Sequence, residues 1–348
     1  MRASCKVRKT ILVASLLLSG GVQADILFNG QWEVYLGPYY GDKGWQNITQ
    51  TGQPTGNDNW SDFVGLWSHT KCVPNSWVYN TSWANDRIRI ESDPTSPKQG
   101  MVARFEVRSG DHRNGTYSGE RSEMYMMTDS SCKKLPVTQA SGHEFYAIAV
   151  KLSPDWVPPQ HESAKKGYTK WGSFMQLHGP NVYGTSPSLD LMAEEDFHLS
   201  LDGGDIERVV TDPKTGQMKH IKNDTKPYAF SNGDLRRGHW VQFVMDVVWA
   251  PDTTGSVRIY RRDDNQTDFT TVLNLRSIAT LQTNSYVPTD PEHCNNCSPD
   301  NTTHYWRIGY YRSTSPDQTN VLWLGPFVRG TTFDEVATAA FGSSGDQK

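Results

Sequence analysis

Residues 240–262 read WVQFVMDVVWAPDTTGSVRIYRR. Trp240–Trp249 is almost wholly aromatic, aliphatic and β-branched, the composition of a buried strand. Pro251-Asp252-Thr253-Thr254-Gly255 supplies turn residues. Ser256–Arg261 (SVRIYR) then alternates apolar with polar side chains, as a half-buried strand does. Outward from this pair, Met101–Arg108 (MVARFEVR) alternates as well. Val102, Arg104, Glu106 and Arg108 fall on one face, and Ala103, Phe105 and Val107 on the other. Phe145–Leu152, Trp306–Arg312 and Val321–Val328 complete the set of strands. No stretch sustains the apolar period of a helix, so helix is expected only as short turns near Pro154–Lys166 and Thr332–Ala340. Many short strands separated by turn residues imply an all-β sandwich of jelly-roll type.

The chain has 348 residues, of which 36% are hydrophobic and 21% charged. That apolar content is enough for a sizeable core. No Pro- or Ser-rich linker divides the chain, and no internal repeat on the scale of about 20–50 residues is evident. One domain over 25–340 is therefore expected, with an irregular start up to about residue 100, a long loop at 280–303 and a frayed tail at 341–348. The formal net charge is −4, and no basic stripe with a nucleic-acid reader motif occurs, which argues against nucleic acid as a partner.

Arg2, Lys6, Arg8 and Lys9 precede a short apolar run, Thr10–Leu18, and Val22-Gln23-Ala24 fits a small-x-small cleavage site. Residues 1–24 thus read as a signal peptide, with a mature chain from Asp25 that is secreted or periplasmic. A membrane anchor is the alternative, but a span needs about 20 apolar residues and this run is half that. Loss of the four leader cations leaves 30 basic residues against 38 acidic, a net charge of −8.

Cys5 leaves with the leader, and Cys72, Cys132, Cys294 and Cys297 remain. An even number in an oxidising compartment favours two disulfides. Three pairings exist, and the favoured one joins Cys294 to Cys297 as a loop clasp and Cys72 to Cys132 as a longer tie. A zinc site helped by His293 and His304 is the alternative, but one C-x-x-C without a second is weak evidence for metal. No metal site or cofactor is expected, a structural calcium ion aside.

Three strand segments put polar groups on alternate positions. In Arg121-Ser122-Glu123-Met124-Tyr125, residues Arg121, Glu123 and Tyr125 share a face. In Gln176-Leu177-His178, Gln176 and His178 share one. In Tyr305-Trp306-Arg307-Ile308-Gly309-Tyr310-Tyr311, Arg307 and Tyr311 share one, with Gly309 leaving space between them. Each alone also fits a solvated strand face. Together they supply the chemistry of β-elimination at a uronic acid. Arg and Gln neutralise the C6 carboxylate, which stabilises the enolate-like intermediate. His is suited to remove the C5 proton, and Tyr can protonate the departing O4.

Arg-Ser-Glu, Gln-Leu-His and Tyr-Trp-Arg-Ile-Gly-Tyr-Tyr resemble, in order and form, the motifs of jelly-roll polysaccharide lyases. The family-seven alginate lyases carry Arg-(Ser/Thr)-Glu-Leu-Arg, Gln-(Ile/Val)-His and Tyr-Phe-Lys-Ala-Gly-x-Tyr. The heparin-lyase-I-like and glucuronan-lyase-like families look similar in layout, including a strand, turn and strand like residues 240–262. The resemblance covers roughly residues 100–330 and implies a concanavalin-like jelly roll with a concave catalytic sheet. It further implies Arg121 and Gln176 as holders of the C6 carboxylate, His178 as base or assistant in neutralisation, and Tyr311 as acid and, in a syn elimination, also base. Arg307 stands where the family has Lys, and Tyr125 where alginate lyases have a second Arg. The second motif ends at His178 and the third begins only at Tyr305. That long separation favours the heparin-lyase-I-like group. These departures bear on the substrate more than on the reaction.

The expected partner is an anionic polysaccharide, alginate or β-glucuronan first. Glu123, Tyr125, Lys170, Arg307, Arg104 and Arg108 are candidates for substrate binding, and Arg113 and Arg312 lie on or near the same strands. A sulfated glycosaminoglycan fits less well, because no dense Lys/Arg cluster is present. His198 is placed near the cleft or in the sheet. Glu194-Glu195-Asp196 resembles a glycosidase or calcium cluster without the spaced carboxylates of hydrolysis. A carbohydrate-binding lectin and a glycoside hydrolase on the same fold are the alternatives. Only the lyase needs the full set of Arg121, Gln176, His178 and Tyr311.

Overall fold

The computed structural model describes residues 26–30, 77–81, 87–98, 100–111, 119–126, 142–159, 171–178, 187–205, 207–211, 218–222, 226–283, 305–313 and 317–342. Its largest sheet is antiparallel and nine-stranded. Along its main path run β16 (Thr270–Ile278), β15 (Gly255–Asp263), β14 (Trp240–Val248), β6 (His143–Leu152), β19 (Asn320–Leu324), β4 (Gly100–Val107) and β3 (Ile88–Asp93). Two further strands join it, β20 (Phe327–Gly330) pairing with β6, and β1 (Ile26–Gly30) pairing with β20. The second sheet has seven strands in the order β13 (Lys226–Ala229), β9 (Phe197–Leu201), β8 (Leu189–Ala193), β7 (Gly172–His178), β18 (Tyr305–Arg312), β5 (Glu120–Met126) and β2 (Trp77–Thr81). Short pairs formed by β10 (Gly204–Asp205) with β17 (Gln282–Thr283), and by β11 (Glu207–Thr211) with β12 (Met218–Lys222), lie outside both. The chain passes from one sheet to the other between β4, β5, β6 and β7, and again between β18 and β19. This exchange makes the fold a jelly roll.

The strand at 240–248 has an unbroken apolar face towards the core, and on its other face Trp240 and Val244 alternate with Gln242 and Asp246. Phe243, Met245 and Val247 point into the core between the sheets with Phe105, Ile148, Phe174, Leu191, Phe197 and Ile308. Trp240 and Val244 point the other way, against a helix, α1 (Phe333–Phe341), which contributes Val336, Ala340 and Phe341. Each large side chain so buried contributes about 1.5–3 kcal/mol, and this two-sided burial sets β14 as a central strand.

The helix expected near Thr332–Ala340 is α1, which begins one residue later and ends one residue later. Phe341, expected as the start of a frayed tail, is fully buried beneath the outer face of β14, and residues 343–348 lie outside the described residues. No helix is found among the described residues of 154–166. Within 280–303 only Gln282–Thr283 is described as strand, and most of the rest lies outside the described residues.

The alternation on β4 has a consequence for two expected binding residues. Ala103, Phe105 and Val107 face the core, so Val102, Arg104, Glu106 and Arg108 point to the helix side of the nine-stranded sheet. Arg104 Nη2 reaches Glu106 at 2.6 Å, and Arg108 pairs with the same carboxylate. Arg104 and Arg108 are therefore an ion-pair cluster on the opposite side of the sandwich from the seven-stranded sheet's outer face, and they line no site there.

Candidate active site

Strand alternation divides β18. Trp306, Ile308, Tyr310 and Arg312 enter the interior and are fully buried, leaving Arg307, Gly309 and Tyr311 on the outer face. On β5, Glu120 and Ser122 are inward and Arg121 and Glu123 outward. Antiparallel register then sets Arg121 opposite Tyr311, Glu123 opposite Gly309, and Tyr125 opposite Arg307. On the other flank of β18, Gln176 stands opposite Arg307 and Ser173 opposite Tyr311. A register shift between Ile308 and Tyr311 lets β7 bury both Phe174 and Met175 while keeping Ser173 and Gln176 outward. Beyond β7, Asp190 stands opposite Gln176 and Ser200 opposite Asp190. Neighbouring strands lie about 4.8 Å apart, so β5, β18, β7 and β8 present one continuous polar band.

Glu123 is the centre of that band. It is 2% exposed. Gln176 Nε2 donates a hydrogen bond to its Oε1, and its Oε2 lies 3.7 Å from Arg121 Nη1 and 3.9 Å from Arg307 Nη1. Burial pushes the Glu123 carboxyl up, and Arg307, Arg121 and Gln176 only partly offset this. Gly309 makes the close approach feasible. Its φ is +133°, and a Cβ there would overlap the Ser122 carbonyl oxygen and lie 2.8 Å from Glu123 Cα. Glycine alone has neither problem.

The Tyr311 ring is held from two sides. Arg121 Cζ lies 3.7 Å from its centroid, and Trp171 meets it edge-on at 4.1 Å. Both contacts suit the charge distribution of an aromatic ring. Trp171 carries no signal in the sequence beyond its place just before β7.

Asp190 is the other residue that sequence reasoning missed. It accepts a hydrogen bond from Ser173 Oγ at 3.1 Å and is 7% exposed. Burial pushes its carboxyl well up. The charges of Glu123 and Asp202 push the same way, against the Ser173 hydrogen bond and Arg307. A polar residue between Leu189 and Leu191 is its only trace in the sequence.

The structure thus brings Arg121, Glu123, Gln176, Arg307 and Tyr311 onto one face. The backbone of His178 continues β7 two residues beyond Gln176, opposite Tyr305, and that of Tyr125 lies opposite Arg307. Lys170, Arg113, Cys72, Cys132, Cys294 and Cys297 lie outside the described residues. Arg312 does not join the group. It is fully buried on the core side, 2.7 Å from Glu120, and donates to Asn320 Oδ1 and, at 2.6 Å, to the Gln318 carbonyl.

His198 is on the outer face of β9, 4.0 Å from Glu194, and burial lowers its pKa. The acidic run beside it holds loops together. Asp196 accepts from the backbone N–H groups of Ser231 and Gly233, each at 2.9 Å, and Glu194 from that of Gly172 at 3.0 Å. Among the described residues no group of three or more His, Cys, Asp or Glu is placed to hold a metal ion.

Two arginines, a glutamine amide and a phenol on one sheet face can bind a carboxylate and move a proton beside it. The family model described as polysaccharide lyase matches residues 43–325. Among solved structures, the fold is similar to an endo-β-1,4-glucuronan lyase from the fungus Trichoderma reesei, at 17% identity over 72% of this chain and 88% of that one, with a TM-score of 0.45. It is similar to a marine alginate lyase from Aplysia kurodai, at 12% identity over 80% of this chain and 96% of that one, with a TM-score of 0.36. An alginate lyase from Pseudomonas aeruginosa is similar at 13% identity over 68% of this chain and 84% of that one, with a TM-score of 0.36. No curated protein matches the chain.

Proposed function

The chain belongs to the polysaccharide lyase family, and from that premise we propose that it cleaves a uronic-acid-containing polymer, alginate or β-glucuronan, by β-elimination. One observation carries the proposal. Arg121, Arg307 and Gln176 already converge on a carboxylate, that of Glu123, immediately beside Tyr311. A group of donors built this way suits a uronate C6 carboxylate arriving at the same face.

In the proposed reaction Arg121 and Gln176 neutralise the C6 carboxylate, which stabilises the charge that develops when the C5 proton leaves. His178 or Tyr311 takes that proton. The electron pair of the C5–H bond becomes the C4–C5 double bond, and the C4–O4 bond breaks. Tyr311 gives a proton to O4, so one chain end is saturated and the other carries an unsaturated uronate. Arg307 holds substrate or Tyr311 in place. Glu123 orients the two arginines, and Tyr125 and Lys170 contact the polymer. The scheme uses no cofactor.

The proposal extends to the cell. The signal peptide of residues 1–24 exports the protein, mature from Asp25, to the periplasm or the medium. There Cys72, Cys132, Cys294 and Cys297 form two disulfides.

The test is absorbance at ~235 nm, where an unsaturated uronate product absorbs if this elimination occurs. Mature protein is incubated with alginate, polymannuronate, polyguluronate, β-glucuronan, hyaluronan and heparin. A rise on alginate or β-glucuronan is expected. Reducing ends without a rise indicate hydrolysis, and retention without cleavage indicates a lectin. Either result overturns the proposal.

A further inference from the structure

Asp190 sits one strand beyond the proposed carboxylate-binding group, in the same cross-strand row as Arg307 and Gln176. The groups around it come from every neighbouring element. They are Ser173 and Gln176 on β7; Ser200 and His198 on β9; Asp202 just past β9; Glu123 on β5; and Arg307 on β18. Arg307 is the arginine among them, and its terminal nitrogen lies 3.9 Å from Glu123. Asp190 itself forms no ion pair among the described residues, and Ser173 is its hydrogen-bond donor. A buried carboxyl among other acids, with no ion-pair partner among the described residues, favours its neutral form.

The charge balance of the face follows. Whatever the sum over Arg121, Arg307, Glu123 and Asp202, ionising Asp190 makes it one unit more negative. A uronate C6 carboxylate is held and neutralised less well by a more negative face. We infer that Asp190 is a positioning residue of the elimination: as a neutral acid beside Gln176 and Arg307, it spares this face a further negative charge that would oppose a uronate carboxylate. The inference rests on the proposed lyase reaction. It adds a residue absent from the three sequence motifs, and it makes the reaction sensitive to one ionisation. As pH rises and Asp190 loses its proton, the face becomes one unit more negative and the substrate carboxylate is held less well. Asp190 contributes no bond-making step.

The experiment compares pH profiles of kcat/KM for the mature wild-type enzyme, Asp190→Asn and Ser173→Ala, on whichever uronate polymer the wild type cleaves. Thermal melts accompany each variant to establish folding. Asp190→Asn is neutral at every pH. At the low-pH end of the profile it is expected to track wild type within about threefold, and at the high-pH end to exceed it by about tenfold, a factor on the scale of one unit charge at this depth. Ser173→Ala removes a hydrogen bond that favours the ionised carboxylate, so its alkaline fall should move to higher pH. A merely structural role for Asp190 predicts neither shift. Superimposable profiles for wild type and Asp190→Asn overturn the inference while leaving the lyase reaction standing. So does a folded Asp190→Asn enzyme inactive at every pH, because the carboxylate itself would then be required. If Asp190→Asn does not fold, an unmoved limb in Ser173→Ala overturns it. A wild type that forms no unsaturated product from any uronate polymer overturns the lyase reaction, and this inference with it.

Discussion

The guanidinium carbon of Arg121 lies 3.7 Å from the centre of the Tyr311 ring, and the two residues face each other across the β5–β18 ladder. With Trp171 against the same ring at 4.1 Å, the phenol is oriented by contacts to its ring. The group proposed to neutralise the carboxylate and the group proposed to move the proton are thereby held as one unit.

Tyr311→Phe keeps that ring packing and removes only the proton-bearing oxygen. Turnover should fall by about 10²–10⁴-fold, the usual contribution of general acid–base catalysis. Retention on immobilised polymer and the melting temperature should be nearly unchanged. A variant that both unfolds and loses binding would make Tyr311 a packing residue.

Arginines on the two sides of the sandwich should behave differently. Arg121→Ala removes a donor proposed to hold the substrate carboxylate, and kcat/KM should fall by about 10²–10³-fold. Arg104→Ala removes half of an ion pair with Glu106 on the helix side, and its kinetics should match wild type. Steady-state assays of both variants on one polymer make the comparison.

The Glu120–Arg312 pair is fully buried at 2.7 Å. Arg312→Met leaves Glu120 charged and uncompensated in the interior, which should cost about 3–5 kcal/mol. Adding Glu120→Gln should recover part of the loss. Urea melts of the single and double variants measure the coupling.

Gly309→Ala drives a Cβ into the Ser122 carbonyl oxygen at a φ of +133°. The backbone of β18 must move away from β5, which separates Tyr311 from Arg121. A loss of about 1–3 kcal/mol from backbone strain alone is expected, with activity falling further than stability. Equilibrium unfolding read beside kcat tests this.

Stability should peak between acid and alkaline limits. Burial raises the Asp93 carboxyl, but hydrogen bonds from Lys151 and Thr95 outweigh it. Burial raises Glu106 too, but Arg104 and Arg108 outweigh that, so both native values lie below the ordinary ones. Their contribution is full above the unfolded values, about 3.9 for Asp and 4.3 for Glu, and is lost as pH falls through the lowered native values. Glu123 and Asp190 are shifted upward. Their contribution is full below the unfolded values and is lost as pH rises through the native ones. Melting temperatures across pH should show that Asp93→Asn flattens the acid side and Asp190→Asn the other.

Much of this protein is legible in its residues because strand alternation is local. Phe105 and Val107 against Arg104 and Glu106, Trp306 and Ile308 against Arg307, and Leu177 against Gln176 each follow from a period of two, whatever lies across the ladder. The apolar face of Val241, Phe243, Met245 and Val247 follows in the same way. The three polar segments could be read as one chemistry because each carries its functional groups within a few residues.

What covers a strand, and which strand lies beside which, is not local. Arg104 alternates as well as Arg121 does, yet the two point to opposite sides of the sandwich, because β4 and β5 belong to different sheets. Arg312 shares a strand with Tyr311 and points inward to Glu120. Asp190 is, in its own segment, only a polar residue between two leucines, since its environment comes from β5, β7, β9 and β18. The strand faces, the all-β class and the kinds of group available for elimination are properties of the chain alone. That Arg121, Gln176, Arg307 and Tyr311 share one surface, with Asp190 beside them, depends on the assembled sheet. Cross-strand register joins residues as distant in the chain as Arg121 and Tyr311, and the burial that shifts a carboxyl exists only once those strands have paired.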